Sequence, residues 1–158
     1  MTRRARTRYR TFFMGMVDIS DKQVTKRSAS AEGLITFSAK SFKILLKDGS
    51  PKGNIFDTAK VAGIMAAKNT PLMVPLCHPL SLEKVQVTFE ILKSKRSVKV
   101  VSEVFCTGKT GVEMEALSAV SAATLTIYDM MKFSGQDMTI TQIRLMHKSG
   151  GKSGVQPS

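Results

Sequence analysis

From Val112 to Phe133 the chain runs without a glycine or a proline, and that stretch limits the folds open to it more than any other feature. Its many alanines suit one long helix, the longest that the sequence predicts, and Gly135 stands just beyond its end, where a helix is commonly stopped. Met114, Met130 and Met131 lie on this helix among the alanines, so they read as core packing rather than as a set of ligands. Everything else in the sequence has to pack around this rod.

The rest alternates between helical and extended patterns. Ala31–Phe37 predicts a short strand. Ser38 looks like the N-cap of a helix running to Leu46 and stopped by Asp48-Gly49-Ser50-Pro51. Ile55–Lys68 has helical spacing, ended by Asn69-Thr70-Pro71. Leu72–Leu80 is apolar but carries Pro75 and Pro79, which favours an irregular buried loop. Val85–Phe89 and Val98–Phe105 alternate as strands around a turn at Ser94–Arg96, and Met138–His147 alternates again. Residues 1–30 are polar and weakly patterned, and read as mobile segments or extended arms. Helices mixed with an antiparallel hairpin predict an α+β fold, ferredoxin-like, with an antiparallel sheet and helices packed on one face. The expected organisation is a disordered basic tail over residues 1–15, a single domain over 16–154, and a flexible end over 155–158.

Charge narrows the partners. The chain carries 24 Lys and Arg against 12 Asp and Glu, a net charge of +12. Arg3, Arg4, Arg6, Arg8 and Arg10 crowd its start, and the remaining body is still basic. Such a body suits a polyanion, whether a phosphate-rich small molecule, a nucleic acid or an acidic lipid surface. No apolar run is long enough for a transmembrane helix. Cys77 and Cys106 form no disulfide framework and fit a reducing, cytoplasmic setting.

Two phosphate-loop lookalikes, Gly108-Lys109-Thr110 and Gly151-Lys152-Ser153, fail as Walker motifs. The required earlier glycine is replaced by Glu103 and by Met146. Thr110-Gly111-Val112-Glu113 has the Thr-x-x-Glu form of a capping box, which gives Glu113 a structural task. Glu115 has none. On an ideal helix Glu115 and Asp129 share a face but stand about 21 Å apart, so they serve opposite ends of a long ligand or need a second subunit. Asp129 and Lys132 can meet at a three-residue spacing. That is either a plain surface ion pair or a proton-transfer pair whose pKa values burial brings toward neutrality. Cys77-His78, held between Pro75 and Pro79, has only Cys106 and His147 as further Cys/His ligands, which supports zinc weakly; it reads either as a buried loop with a satisfied histidine or as a contact to a base edge or phosphate. Lys52-Gly53, just ahead of the Ile55 helix, can bind an anion or be a solvated turn.

Taken in order, these segments resemble one family. Lys52-Gly53, Ile55-Phe56, Thr58-Ala59, Ala62-Gly63-Ile64 and Ala66-Ala67-Lys68 look like its first block, and Pro75-Leu76-Cys77-His78-Pro79-Leu80 its second. Thr107 to Leu117 looks like the third, continued by Leu125 to Met130 and Lys132 and closed by Lys148 to Gly154. The match, to the cyclic pyranopterin monophosphate synthases of molybdenum cofactor biosynthesis, spans roughly Met16 to Gly154. Departures fall at Gly15, where the family often has histidine, and at Asp57 and Lys60, where alanine and arginine are frequent. The acidic tail of the family is missing after Gly154.

The resemblance implies conversion of 3′,8-cyclo-7,8-dihydro-GTP to cyclic pyranopterin monophosphate with release of pyrophosphate. It implies a ferredoxin-like fold in a cytoplasmic homohexamer, a trimer of dimers, with the pocket at a subunit boundary. Asp129 becomes the catalytic acid/base, with Lys132 and Lys52 as the catalytic cations. Leu76, Cys77, His78, Glu113, Met114 and Glu115 become substrate contacts, and Arg27, Lys68, Lys148 and Lys152 are assigned to the triphosphate. No metal site or resident cofactor is required, although Mg2+ accompanying the triphosphate is compatible with the sequence. Two readings compete: a nucleic-acid-binding module, favoured by the charge but lacking aromatic stacking motifs, and a non-catalytic nucleotide-binding protein on the same fold.

Overall fold

The computed structural model describes residues 14–151. The Arg-rich start, Lys152 and the expected flexible end at 155–158 lie outside the described residues. Strand β1 (Thr25–Thr36) is followed by helices α1 (Ala39–Lys47), α2 (Ile55–Lys68) and the one-turn α3 (Thr70–Met73). Then come the hairpin strands β2 (Lys84–Leu92) and β3 (Ser97–Gly108), the long helix α4 (Glu113–Met131) and strand β4 (Thr139–Ser149). The four strands form one antiparallel sheet in the order β2-β3-β1-β4. Helices cover one face of it, the α+β, ferredoxin-like arrangement expected.

Helix α4 fills the centre. Its Ala116, Ala119, Val120, Ala123 and Ile127 are fully buried against Ala31 and Ile35 of β1 and Val98, Val100 and Val104 of β3. Small residues allow a very close approach. A Cβ on Gly33 would come within 2.5 Å of a Val120 methyl, and one on Gly63 of α2 would lie 2.9 Å from the Ala119 carbonyl oxygen.

The local signals for α1 and α2 are obeyed. Ser38 Oγ accepts the Ser41 amide, and Asn54 Oδ1 accepts the Asp57 amide, each closing a helix start. Two expectations fail. β1 begins at Thr25, not Ala31, because Thr25–Ser30 pairs residue for residue with Glu103–Gly108 of β3; only Ala29 is buried in that stretch, and the residues around it are polar or charged. The Leu72–Leu80 segment is irregular after α3 but not buried: Leu72 is 86% and Leu76 50% exposed in the single chain.

Candidate active site

The last turn of α4 presents Asp129. Lys132, three residues on, places its ammonium 2.7 Å from Oδ1, and Lys52, from the turn between α1 and α2, places its own 2.6 Å from Oδ2. The carboxylate is thus gripped on both oxygens. The Lys132 and Lys52 hydrogen bonds lower the Asp129 pKa to about 2, and the same contact raises that of Lys132. This reverses the expected drift toward neutrality. All three side chains are about half exposed, so desolvation opposes their charges only weakly and the hydrogen-bonded contacts outweigh it.

The opposite end of α4 opens onto a cavity of about 680 Å³. Its lining includes Lys22, Arg27 from β1, Lys109 and Glu113, and Lys148 from β4. Arg27 is steadied by donating from Nε to the Gly108 carbonyl at 3.2 Å, and Lys109 donates to the Ser20 carbonyl at 2.7 Å. The expected capping box is absent. Val112 is the N-cap and no side chain caps the helix; Glu113, at the first helical position, instead meets the Lys148 ammonium at 2.8 Å. Burial pushes the Glu113 carboxyl up, but the Lys148 hydrogen bond and the charges of Lys148 and Arg27 outweigh it and leave it below the usual range.

A second cavity, about 340 Å³, adjoins the first and shares Lys22, Thr110, Gly111 and Glu113 with it. Leu76, Cys77, His78, Met114 and Glu115 line it, under Val17 and Ile19 of the N-terminal arm. Glu115 is 3% exposed. Burial raises its pKa, partly offset by its own backbone amide, and the Glu113 charge raises it further. Burial and the Glu115 charge likewise raise the Cys77 thiol, which makes it a poor thiolate nucleophile at neutral pH.

Among the described residues, those expected to bind substrate, Lys68 apart, assemble at one end of α4, and those expected to catalyse at the other. Lys68 joins neither; it lies in a separate groove with Ile64, Leu82 and Lys84. Lys22 and Lys109 are cavity residues that sequence reasoning passed over. Lys109 stood inside a failed phosphate-loop pattern and inside the third family block without being given a role, although a Gly-Lys-Thr segment ahead of a helix is itself an anion-binding signal. Among the described residues no cluster of three or more His, Cys, Asp or Glu is placed to hold a metal ion. No helix among them is long and apolar enough to cross a membrane.

The model of the MoaC family matches residues 16–151. The chain belongs to that family. Both ends of α4, the two cavities and the Lys52 turn fall inside the matched region. A family relative from Parvibaculum lavamentivorans, named cyclic pyranopterin monophosphate synthase, is 51% identical over 139 residues, covering 88% of this chain and 87% of that one.

Proposed function

We propose that this protein is a cyclic pyranopterin monophosphate synthase of molybdenum cofactor biosynthesis, which converts 3′,8-cyclo-7,8-dihydro-GTP to cyclic pyranopterin monophosphate and releases pyrophosphate. One observation carries the reading: identity of 51%, nearly end to end, with a protein of that name. The geometry supplies parts that suit the chemistry. Lys22, Arg27, Lys109 and Lys148 offer four cations to a triphosphate, and expulsion of pyrophosphate needs its growing charge stabilised. Glu115, buried in the wall of the cavity that His78 also lines, is an acceptor suited to the amide and amine donors of a guanine-derived ring.

Asp129 fixes two ammonium groups at the reacting end. With its pKa near 2 it is a weak base while both lysines hold it. An anionic ligand that draws Lys52 or Lys132 away restores its basicity and delivers a cation to the developing phosphate charge. The separation of the two clusters along α4 supports a site completed between chains, in a homohexamer built as a trimer of dimers and working in the cytoplasm. No resident cofactor is required, and Mg2+ would enter as part of the substrate triphosphate.

The test is pyrophosphate release from the cyclic intermediate. The parent is expected to turn over, and Asp129→Asn and Lys52→Ala to lose on the order of 10²–10⁴ in rate. A folded parent that binds the intermediate without releasing pyrophosphate overturns the reading in favour of a binding protein. Unchanged turnover in Asp129→Asn removes that residue from the chemistry.

A further inference from the structure

Lys52 is carried by a four-residue turn whose sequence dictates its shape. Ser50-Pro51-Lys52-Gly53 has serine first, proline second and glycine fourth, the preferences of a type I turn. The Gly53 amide donates to the Ser50 carbonyl at 3.1 Å and closes it. Gly53 leaves with φ of +109°, a conformation that side chains disfavour.

Two more hydrogen bonds converge on one hydroxyl. Ser50 Oγ accepts the Lys52 amide at 3.2 Å and donates to the Met130 carbonyl at 2.7 Å. Met130 is the residue after Asp129, its side chain is buried, and its carbonyl is among the last four of α4, which have no amide one turn on. The Ser50 hydroxyl thus ties the backbone of Lys52 to the backbone beside Asp129. The Lys52 side chain is about half exposed, so packing cannot fix where its ammonium sits. Apart from its contacts with Asp129, the side chain is held only at the origin of its flexible stem.

We infer that Ser50 is a positioning residue for the site, pinning the Lys52 turn to the end of α4 so that the Lys52 ammonium rests on Asp129. The inference rests on the proposed reaction only for its effect on rate; the pinning itself is a matter of geometry. It also explains why a turn rather than a helix or strand can carry a reacting group: the turn is clamped at its first residue and closed at its last.

The test compares Ser50→Ala with Ser50→Thr, which keeps the hydroxyl, in the full-length assembly. Two quantities are read: kcat and KM for pyrophosphate release, and titration of the Asp129 carboxyl by carbon NMR. Ser50→Ala is expected to lower kcat roughly tenfold with KM little changed, and to move the Asp129 titration upward from about 2 as Lys52 drifts off. Ser50→Thr is expected to recover most of both, and melting temperatures to stay close to the parent's. An active parent with Ser50→Ala unchanged in kcat and in Asp129 titration overturns the inference. So does equal loss in both variants with Asp129 unmoved, which marks a packing defect. A parent that releases no pyrophosphate, yet whose Asp129 titration shifts in Ser50→Ala and returns in Ser50→Thr, keeps the pinning and defeats the proposed reaction.

Discussion

Glu115 and Asp129 stand on one helix, and their surroundings push them in opposite directions. Asp129 is half exposed and gripped by two ammonium groups, so its charge is stabilised. Glu115 is buried next to Glu113, so its charge is opposed. Because the folded pKa of Glu115 lies above the ordinary 4.5, the folded state binds its proton more tightly than the unfolded chain does. The ionised form therefore costs stability at pH values above the folded pKa, and the cost disappears below the unfolded one. Glu115→Gln is accordingly expected to raise the melting temperature at pH 7–8, with the gain shrinking as pH falls and vanishing below about 4.5. A gain that is the same at both ends of a pH series of melting curves contradicts the argument. Which carboxylate pairs with what was only half legible in the sequence. The three-residue spacing announced Asp129–Lys132, since Lys132 follows directly on the last turn of the helix that carries Asp129. Glu113–Lys148 and Lys52–Asp129 join residues 35 and 77 positions apart, and only the tertiary fold brings them together. The Thr-x-x-Glu pattern was misleading because Lys148 offers Glu113 a full charge, a stronger partner than a backbone amide.

Elements with strong local punctuation or clear alternation were readable, the β2–β3 hairpin and β4 among them; a stretch defined only by its pairing was not. α2 was legible at both ends, because its helical spacing starts at Ile55 and Asn69-Thr70-Pro71 ends it; the Asn54 cap at its start is what the structure adds. The first half of β1 was invisible, because Ala29 and Ala31 inside and Ser28 and Ser30 outside give little contrast; its partner β3 defines it. Gly63 shows the same priority of packing over local preference. In the middle of α2 a glycine is worse than alanine by about 1 kcal/mol, so propensity alone recommends Gly63→Ala. The structure recommends the opposite, since the new Cβ would lie 2.9 Å from the Ala119 carbonyl oxygen, a backbone atom that cannot swing aside, and 3.1 Å from a Val87 methyl. Overpacking of this kind costs about 1–3 kcal/mol. Gly63→Ala is expected to be destabilised on balance, seen as a lower urea midpoint with an unchanged slope. A higher midpoint means that α2 and α4 can move apart freely, and that Gly63 is not needed for their contact.

At the scale of the whole molecule the decisive feature is the length of α4, which keeps Asp129 and Glu115 about 21 Å apart whatever the side chains do. That much followed from spacing alone. Which other residues gather at each end did not, because Arg27, Lys109 and Lys148 reach the N-terminal end from three different elements. If each proposed active site takes the Asp129 end from one chain and the His78 end from another, two damaged chains can repair each other. Asp129→Asn leaves the cavity end whole, and His78→Ala leaves the lysine-clamped carboxylate whole. In a mixed two-fold pair, one of the two composite sites carries both lesions and the other carries neither. Random reassembly of equal amounts makes half of the pairs mixed, so the mixture is expected to recover roughly a quarter of the parent's pyrophosphate release while each variant alone stays near zero. Recovery should appear only after the chains have been dissociated and reassociated, because intact assemblies cannot exchange halves of a site. A reassociated mixture no more active than the mean of the two variants places both ends of the site in one chain. The substrate would then have to span the length of α4.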